Sequence, residues 1–318
     1  MAAEVTILLA TYKGAKYIRK QLESIILQTH TCWKLFARDD SSSDGTLDIL
    51  LEFAEKYPNN IFVDQDKPGN LGAVGNFGYL LSKSLESNYI MFCDQDDYWL
   101  PLKIEKTLQS MQLAEKTYGN EMPLLVHTNF TYTDENLNPI KSKEGFHARR
   151  LKQLRFANIL VQNPVYGCTV LLNNSLAKKV KNIPAIAENH DYWVALVASA
   201  FGEIIYLSES TILYRQHTGN ISTHFDDDTL RYRFKKIFIK KGNLLQAQNN
   251  ILMAREFSLV YGNSLDRQSK KVLDDFIDLF SIKSPRCFMK NIKNGVRKQT
   301  FNQTALFYLS VLFLQKGH

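Results

Sequence analysis

The stretch VTILLATYKGAKYIRKQLESIILQT (Val5–Thr29) changes its hydrophobic period part-way along. Val5 to Thr11 is too short and too continuously apolar for anything but a buried strand. From Lys16 onward, Ile18, Leu22, Ile25 and Ile26 fall at i, i+4, i+7 and i+8, which gives a helix one apolar face. A buried strand followed by an amphipathic helix is the start of a βα unit, and a series of such units predicts a mostly parallel sheet.

The same alternation runs through the first hundred residues. WKLFARDD (Trp33–Asp40) reads as a second strand that ends in two acids. Ser42, Ser43 and Asp44 offer N-caps to the helix TLDILLEFAEKY, whose Leu47, Leu50, Leu51 and Ala54 define an expected apolar face. NIFVDQ, a helix from Gly72 to Ser84 and the strand YIMFCD complete the pattern. In open parallel sheets, ligands bind outside the carboxyl ends of the strands. Polar residues collect at that edge here, as Thr11 and Tyr12, Asp39 and Asp40, and Asp94 through Asp97.

From Leu124 the texture changes to mixed strands, LLVHTNFTYTD and VYGCTVLLNN, separated by the basic stretch KSKEGFHARRLK. A helix beginning near ENHDYWVALVASAF follows, then two strands, EIIYLSE and TILYRQHTGNIS. After His224 the chain reads as basic amphipathic helices. The expected division is therefore an α/β domain over residues 1–225 and a basic helical region over 226–318, with the boundary near Asp226.

Composition supports a folded protein: 45% of the 318 residues are hydrophobic and 22% charged, close to globular averages. The formal net charge of +7 points to an acidic partner, and its distribution is uneven. Residues 229–318 hold 17 Lys and Arg against 5 Asp and Glu, a net of +12, which leaves −5 for the residues before them. The cysteines, Cys32, Cys93, Cys168 and Cys287, lie far apart without CxxC spacing and read as buried small hydrophobes of a reducing compartment. Neither a signal peptide nor an N-terminal anchor is read at the start of the chain.

The acids at the sheet edge admit two readings. Asp94-Gln95-Asp96 fits a DxD arrangement, in which a carboxylate and substrate phosphate oxygens share a hard divalent cation. Alternatively, Asp96 or Asp97 caps the helix that begins around Pro101, with Asp97 the better candidate. In RDDSSSDGT (Arg38–Thr46) a nested turn explains Ser41 to Gly45, but not the pairing of Asp39 with Asp40, whose like charges repel unless something uses them.

Taken in order, ILLATYKGAKYIRKQLESIILQT, RDDSSSDGT, NLGAVGNF, CDQDDYWLP, HDYW and YRQHTGN resemble the inverting nucleotide-sugar glycosyltransferases of family two, with a GT-A fold. Among these the combination is most similar to bacterial rhamnosyltransferases of cell-wall or O-antigen polysaccharide synthesis. The resemblance covers Val5 to Ser222. It implies an α/β GT-A architecture with a C-terminal α-helical extension, and transfer of L-rhamnose from dTDP-β-L-rhamnose to a polysaccharide or lipid-linked acceptor. A hexose, galactofuranose or N-acetylhexosamine donor is the alternative, and a nucleotide-sugar binding protein without catalysis is the rival from another class.

Residue by residue, the resemblance implies that Thr11, Tyr12 and Asp40 hold the pyrimidine and ribose, with Asn70, Gly72 and Gln95 near the nucleotide. Asp94 would sit near the ribose, and Asp96 would bind Mg²⁺ or Mn²⁺ together with His217. Lys13 departs from the Asn more usual after the tyrosine. Asp191 matches the general base, which single displacement needs on the acceptor side, and whose presence separates an enzyme from a binding module; the competing reading is a cap of its own helix. Trp193 is either an acceptor platform or core. Arg215 and Gln216 flank a loop suited to the diphosphate.

RYRFKKIFIKK (Arg231–Lys241) interleaves cations with aromatic and aliphatic residues, and ALFYLSVLFL (Ala305–Leu314) is apolar but about half the length that spans a bilayer. Together they suggest peripheral attachment to an anionic membrane, on the cytoplasmic face. A homodimer contact is the other use of this region, and no nucleic-acid partner is expected.

Overall fold

The computed structural model describes residues 3–66, 69–141, 154–217 and 240–313. Its first compact unit is built on one eight-stranded sheet in the order β3-β2-β1-β4-β7-β6-β8-β5. The strands are β1 Val5–Thr11, β2 Trp33–Asp39, β3 Ile61–Asp64, β4 Tyr89–Cys93, β5 Tyr98–Trp99, β6 Leu124–Thr133, β7 Val170–Asn173 and β8 Glu203–Arg215. β1 pairs in parallel with β2 and β4, β2 with β3, and β6 with β8. β7 runs antiparallel to both of its neighbours and β5 antiparallel to β8, so the sheet is mixed but mostly parallel.

Helices α1 Ile18–Ile26, α2 Thr46–Lys56, α3 Gly72–Lys83 and α4 Lys103–Tyr118 follow the early strands, and α5 Phe156–Ile159, α6 Asn174–Val180 and α7 His190–Phe201 come later. Successive β1 residues Ile7, Leu8 and Leu9 are all buried, which is why this strand is continuously apolar rather than alternating. Each such fully buried side chain contributes about 1.5–3 kcal/mol relative to exposure. On α1 the expected face holds, with Ile18, Leu22 and Ile25 buried.

Two expectations change. On α2 the buried stripe is Thr46, Leu50 and Phe53, while Leu47 and Leu51 are exposed. Phe53 fills the place assigned to Ala54, so the helix is rotated by part of a turn. EIIYLSE and TILYRQ are not two strands but one long β8, which keeps pairing with β6 across register shifts near Asn129. VYGCTVLLNN forms a short 3₁₀ turn at Gly167–Thr169 before the four-residue β7.

A second compact unit takes residues 154–164 and 186–188 along with 240–313. Its principal helices are α8 Lys240–Tyr261, α9 Arg267–Ile282, α10 Pro285–Lys293 and α11 Phe301–Phe313. Asp266 caps α9 by accepting from the Gln268 and Ser269 N–H groups, and Ser284 caps α10 through the Cys287 N–H. The boundary placed near Asp226, residues 142–152 of the basic stretch and residues 231–239 of RYRFKKIFIKK lie outside the described residues.

Candidate active site

The parallel register brings three strand ends to one edge. Leu9 pairs with Cys93 and Thr11 with Asp39, so the Tyr12 turn, the Asp39-Asp40 pair and the Asp94–Asp97 loop leave the sheet together. The turn after β1 is fastened to the acid loop by Gln95. The Gln95 Oε1 accepts from the Tyr12 N–H at 2.9 Å and its Nε2 donates to the Tyr12 carbonyl at 2.9 Å. Gln95 thus acts as a clamp on the backbone, and the Tyr12 ring, 45% exposed, remains open to a ligand. A Cβ at position 14 would lie 2.2 Å from Gln95 Oε1 and push this clamp aside.

The two acids after β2 divide their work in a way the sequence reading did not foresee. Asp40 is buried, and its carboxylate takes Arg38 Nη1 at 2.8 Å, the Leu71 N–H at 2.8 Å and the Gly72 N–H at 2.7 Å. Those internal donors engage both carboxylate oxygens, so Asp40, expected to hold pyrimidine or ribose, here positions its own neighbours. What it positions is the Asn70–Gly72 turn, where Gly72 has φ +67°, a conformation that favours glycine. Asn70 Oδ1 accepts from the Gly72 N–H at 3.2 Å, and both residues stay exposed at the edge. Thr11 is also buried, and donates to Asp39 Oδ1 at 2.9 Å. Asp39 in turn accepts from the Ser42 backbone and hydroxyl, at 2.7 and 2.6 Å, and is half-buried at the strand end.

The acid loop is heavily charged for its burial. The Asp94 carboxyl is pushed up to about 8, first by burial and then by repulsion from Asp96 and Asp191. That repulsion places the two ends of the expected reaction, acid loop and base, in one electrostatic site. Asp96 Oδ2 lies 2.8 Å from His217 Nε2, and the His217 ring stacks on Tyr17 at 4.5 Å. The expected metal pair is therefore brought together.

Asp97 is not the cap of the next helix. Leu102 occupies the N-cap position of α4, without a side-chain cap bond. Asp97 turns inward, is fully buried, and accepts from the Arg215 N–H at 3.2 Å. Burial pushes its carboxyl well up, with Asp96 and Asp94 adding to the effect. Beneath it lies Lys103, also buried, with its ammonium 4.6 Å from the Trp99 ring centroid and pulled down to about 8 by burial. Sequence reading passed over Lys103 because a lysine in the first turn of a helix ordinarily faces water.

Arg215 turns inward. Its guanidinium is buried over Tyr17, 4.8 Å from the ring, and donates to the Asp96 carbonyl at 2.7 Å and to the Glu135 carbonyl. The arginine ties the end of β8 to the acid loop on the side expected to face the diphosphate. Gln216 prolongs the same strand by donating its N–H to the Thr133 carbonyl at 2.9 Å, and is half-buried. Gly219 of the YRQHTGN motif lies outside the described residues.

Asp191 stands in the first turn of α7, two residues after the N-cap Asn189. Its Oδ2 accepts from the Gly167 N–H at 2.8 Å, a contact across 24 residues of sequence that orients the carboxylate from outside its own helix. Gly167 is needed by close approach, since a Cβ would come within 2.3 Å of His190 Nε2. His190 is stacked on Phe77 at 3.9 Å and edge-on to Phe92 at 4.9 Å, and burial pulls its imidazole down to about 3. Trp193, at 1% exposure, is core, so an acceptor cannot stack on it.

Two groupings fit a cation differently. Asp96 with His217 offers a carboxylate and an imidazole, both largely buried at the strand edge, a donor pair that suits a divalent ion shared with phosphate oxygens. Asp94, Asp97 and Cys168 also bring ligand atoms within 4.8 Å of one another. The Cys168 thiol is pushed well up by burial and by Asp97, however, and sulfur is a soft donor that suits a hard cation poorly.

The profile of Glycosyl transferase family 2 matches residues 6–171. The dTDP-rhamnosyl transferase RfbG of Shigella flexneri is 30% identical over 227 residues, spanning 67% of this chain and 72% of that protein. Among solved structures, S. aureus TarS 1-349 in complex with UDP-GlcNAc has a TM-score of 0.57 at 18% identity, covering 96% of this chain and 79% of that one. The mannosyltransferase PcManGT of Pyrobaculum calidifontis, in complex with GDP-Man and Mn²⁺, has a TM-score of 0.51 at 12% identity, covering 97% and 87%. At these identities the two structures speak to the fold, which is GT-A.

Proposed function

The chain belongs to glycosyl transferase family 2, and from that premise we propose that it is an inverting, divalent-metal-dependent transferase that moves L-rhamnose from dTDP-β-L-rhamnose to a hydroxyl of a polysaccharide or lipid-linked acceptor. The rhamnosyl donor is supported by the RfbG relative and by the DQDDYW, HDYW and YRQH motifs. Metal dependence is supported by the Asp96–His217 pair and by the Mn²⁺ held by the mannosyltransferase neighbour.

The observation that carries the reading is the Asp191 carboxylate. It is fixed by the Gly167 N–H and lies close enough to the acid loop to raise Asp94. Asp191 takes the proton of the incoming acceptor hydroxyl. The new C–O bond forms at the anomeric carbon as the bond to the diphosphate breaks on the opposite face, and the configuration inverts. Asp96 and His217 would hold a divalent ion, which would supply positive charge for the leaving diphosphate. Tyr12 offers an exposed ring for the base, and Asp40 and Arg38 hold the Asn70–Gly72 turn at the nucleotide's edge.

Asp191→Asn tests this directly. The amide is isosteric and still accepts from Gly167, but cannot take a proton. Transfer should fall by about 10²–10⁴-fold, the usual worth of a general base, while nucleotide-sugar binding measured by calorimetry stays near wild type. Retained turnover in this variant would remove Asp191 from the mechanism.

A further inference from the structure

The helical unit presents an unusual outer face. On α10, Pro285, Met289 and Ile292 fall at i, i+4 and i+7 and point outward, with Met289 and Ile292 54% and 53% exposed. Arg286, Lys290 and Lys293 follow the same spacing one step round the helix and are also exposed. The helix contains no acid, and its inward side is occupied by Cys287 and Asn291. This inverts the usual arrangement of a surface helix, in which the apolar stripe faces the core.

The last helix repeats the feature without charge. α11 buries Phe307, Tyr308 and Val311, and Tyr308 donates to the Val296 carbonyl at 2.8 Å. Phe301, Leu309, Leu312 and Phe313 are left exposed, Phe301 at 85%. Among the described residues, α11 thus uses only part of its apolar surface in packing. Nearby acids are few and partly engaged: Asp275 of α9 pairs with Lys271 and Lys290, while Asp274 and Asp278 are exposed on α9.

We propose that α10, with the exposed side of α11, is a membrane-docking surface that inserts Met289 and Ile292 into an anionic lipid interface while Arg286, Lys290 and Lys293 meet the headgroups. Charge decides against a second copy of the chain as occupant. Two such faces apposed would bring Arg286 and Lys293 of each copy, four cations beyond the Lys290 already paired with Asp275, together with no acid from α10 to answer them, whereas anionic lipid answers both the apolar stripe and the cationic one.

The test is sedimentation of the full-length protein with vesicles of phosphatidylcholine alone or mixed with phosphatidylglycerol. Wild type should bind the anionic vesicles, bind neutral ones poorly, and release with added salt. Arg286→Gln with Lys293→Gln should weaken anionic binding about fivefold per cation removed. Met289→Asp with Ile292→Asp should abolish it. Nucleotide-induced thermal stabilisation reports that each variant is folded. Failure of wild type to sediment, equal binding to neutral vesicles, or unchanged binding in the Met289/Ile292 variant would overturn the proposal. So would a wild-type dimer in light scattering that the Met289/Ile292 variant dissolves, since the face would then belong to a second copy.

Discussion

Replacing Asp40 with alanine should cost the protein stability before it costs contacts to a nucleotide. The carboxylate has three internal donors, Arg38 Nη1, the Leu71 N–H and the Gly72 N–H, all within 2.8 Å. The Arg38–Asp40 pair is almost wholly removed from water, with side-chain exposures of 2% and 3%. Removing one partner of such a pair leaves an uncompensated buried charge, at a cost of about 3–5 kcal/mol. Arg38 would keep its bonds to Asn76 Oδ1 and the Gly69 carbonyl, which holds the estimate toward the lower end. At about 2–4 °C per kcal/mol for a domain of this size, the melting temperature should drop by roughly 10 °C. Thermal unfolding followed by circular dichroism, with nucleotide affinity measured in parallel, separates the two roles. If Asp40→Ala melts within about 2 °C of wild type but loses nucleotide affinity, the carboxylate is a ligand contact and the positioning argument fails.

Gly167→Ala should drive a methyl into the His190 ring, which lies 2.3 Å from the position of that Cβ, and displace the N–H that orients Asp191. Turnover should fall at least tenfold with donor affinity preserved; a variant with wild-type kcat would show that this bond does not orient the base. The pH profile of stability carries its own sign. Asp94 holds a proton in the folded state up to about 8, against an ordinary value of 3.8, so its contribution is full below about pH 4 and is lost as pH rises through about 8. Melting temperature in chelator should decline across that window, and Asp94→Asn should flatten the decline; an unchanged slope in the variant assigns it to another group.

Much of this site was legible because the sheet edge is encoded by short-range pattern. A four- to seven-residue apolar run that ends in acids fixes where a strand stops, and parallel pairing then gathers the stops. The roles of neighbouring acids were not legible. Asp39 and Asp40 differ by one position in sequence but meet opposite environments, and the difference is made by Arg38, whose partner cannot be inferred from spacing. A charged residue inside the apolar run WKLFARDD was the available signal, since a buried arginine requires an acid. Asp97 misled for a related reason. A proline four residues later suggests a capped helix, yet Asp97 turns to the Arg215 N–H from a strand 118 residues away. Trp193 could not be assigned from the sequence because α7 is apolar nearly all round, a pattern that means burial without saying which side faces a ligand. Gly167 left no local trace, because close approach to His190 is a tertiary fact.

Burial distributes charge among the acids in a way that bears on how a nucleotide donor is accepted. Asp94 and Asp97 are both raised, each first by burial and then by neighbouring carboxylates, while Asp96 stands beside the His217 imidazole. At neutral pH the free site therefore favours the proton on Asp94, and Asp97 is pushed in the same direction. A diphosphate brings further negative charge to the same place. Without a cation, binding favours the protonated Asp94, so donor affinity measured in chelator should fall as pH rises through about 8. Each pH step above that value should weaken it by up to tenfold, the limit for loss of one proton. Saturating Mg²⁺ or Mn²⁺ should remove most of this dependence, because positive charge at Asp96 and His217 compensates the carboxylates and the diphosphate together. A donor affinity that is flat with pH in chelator would mean that Asp94 does not face the diphosphate's field.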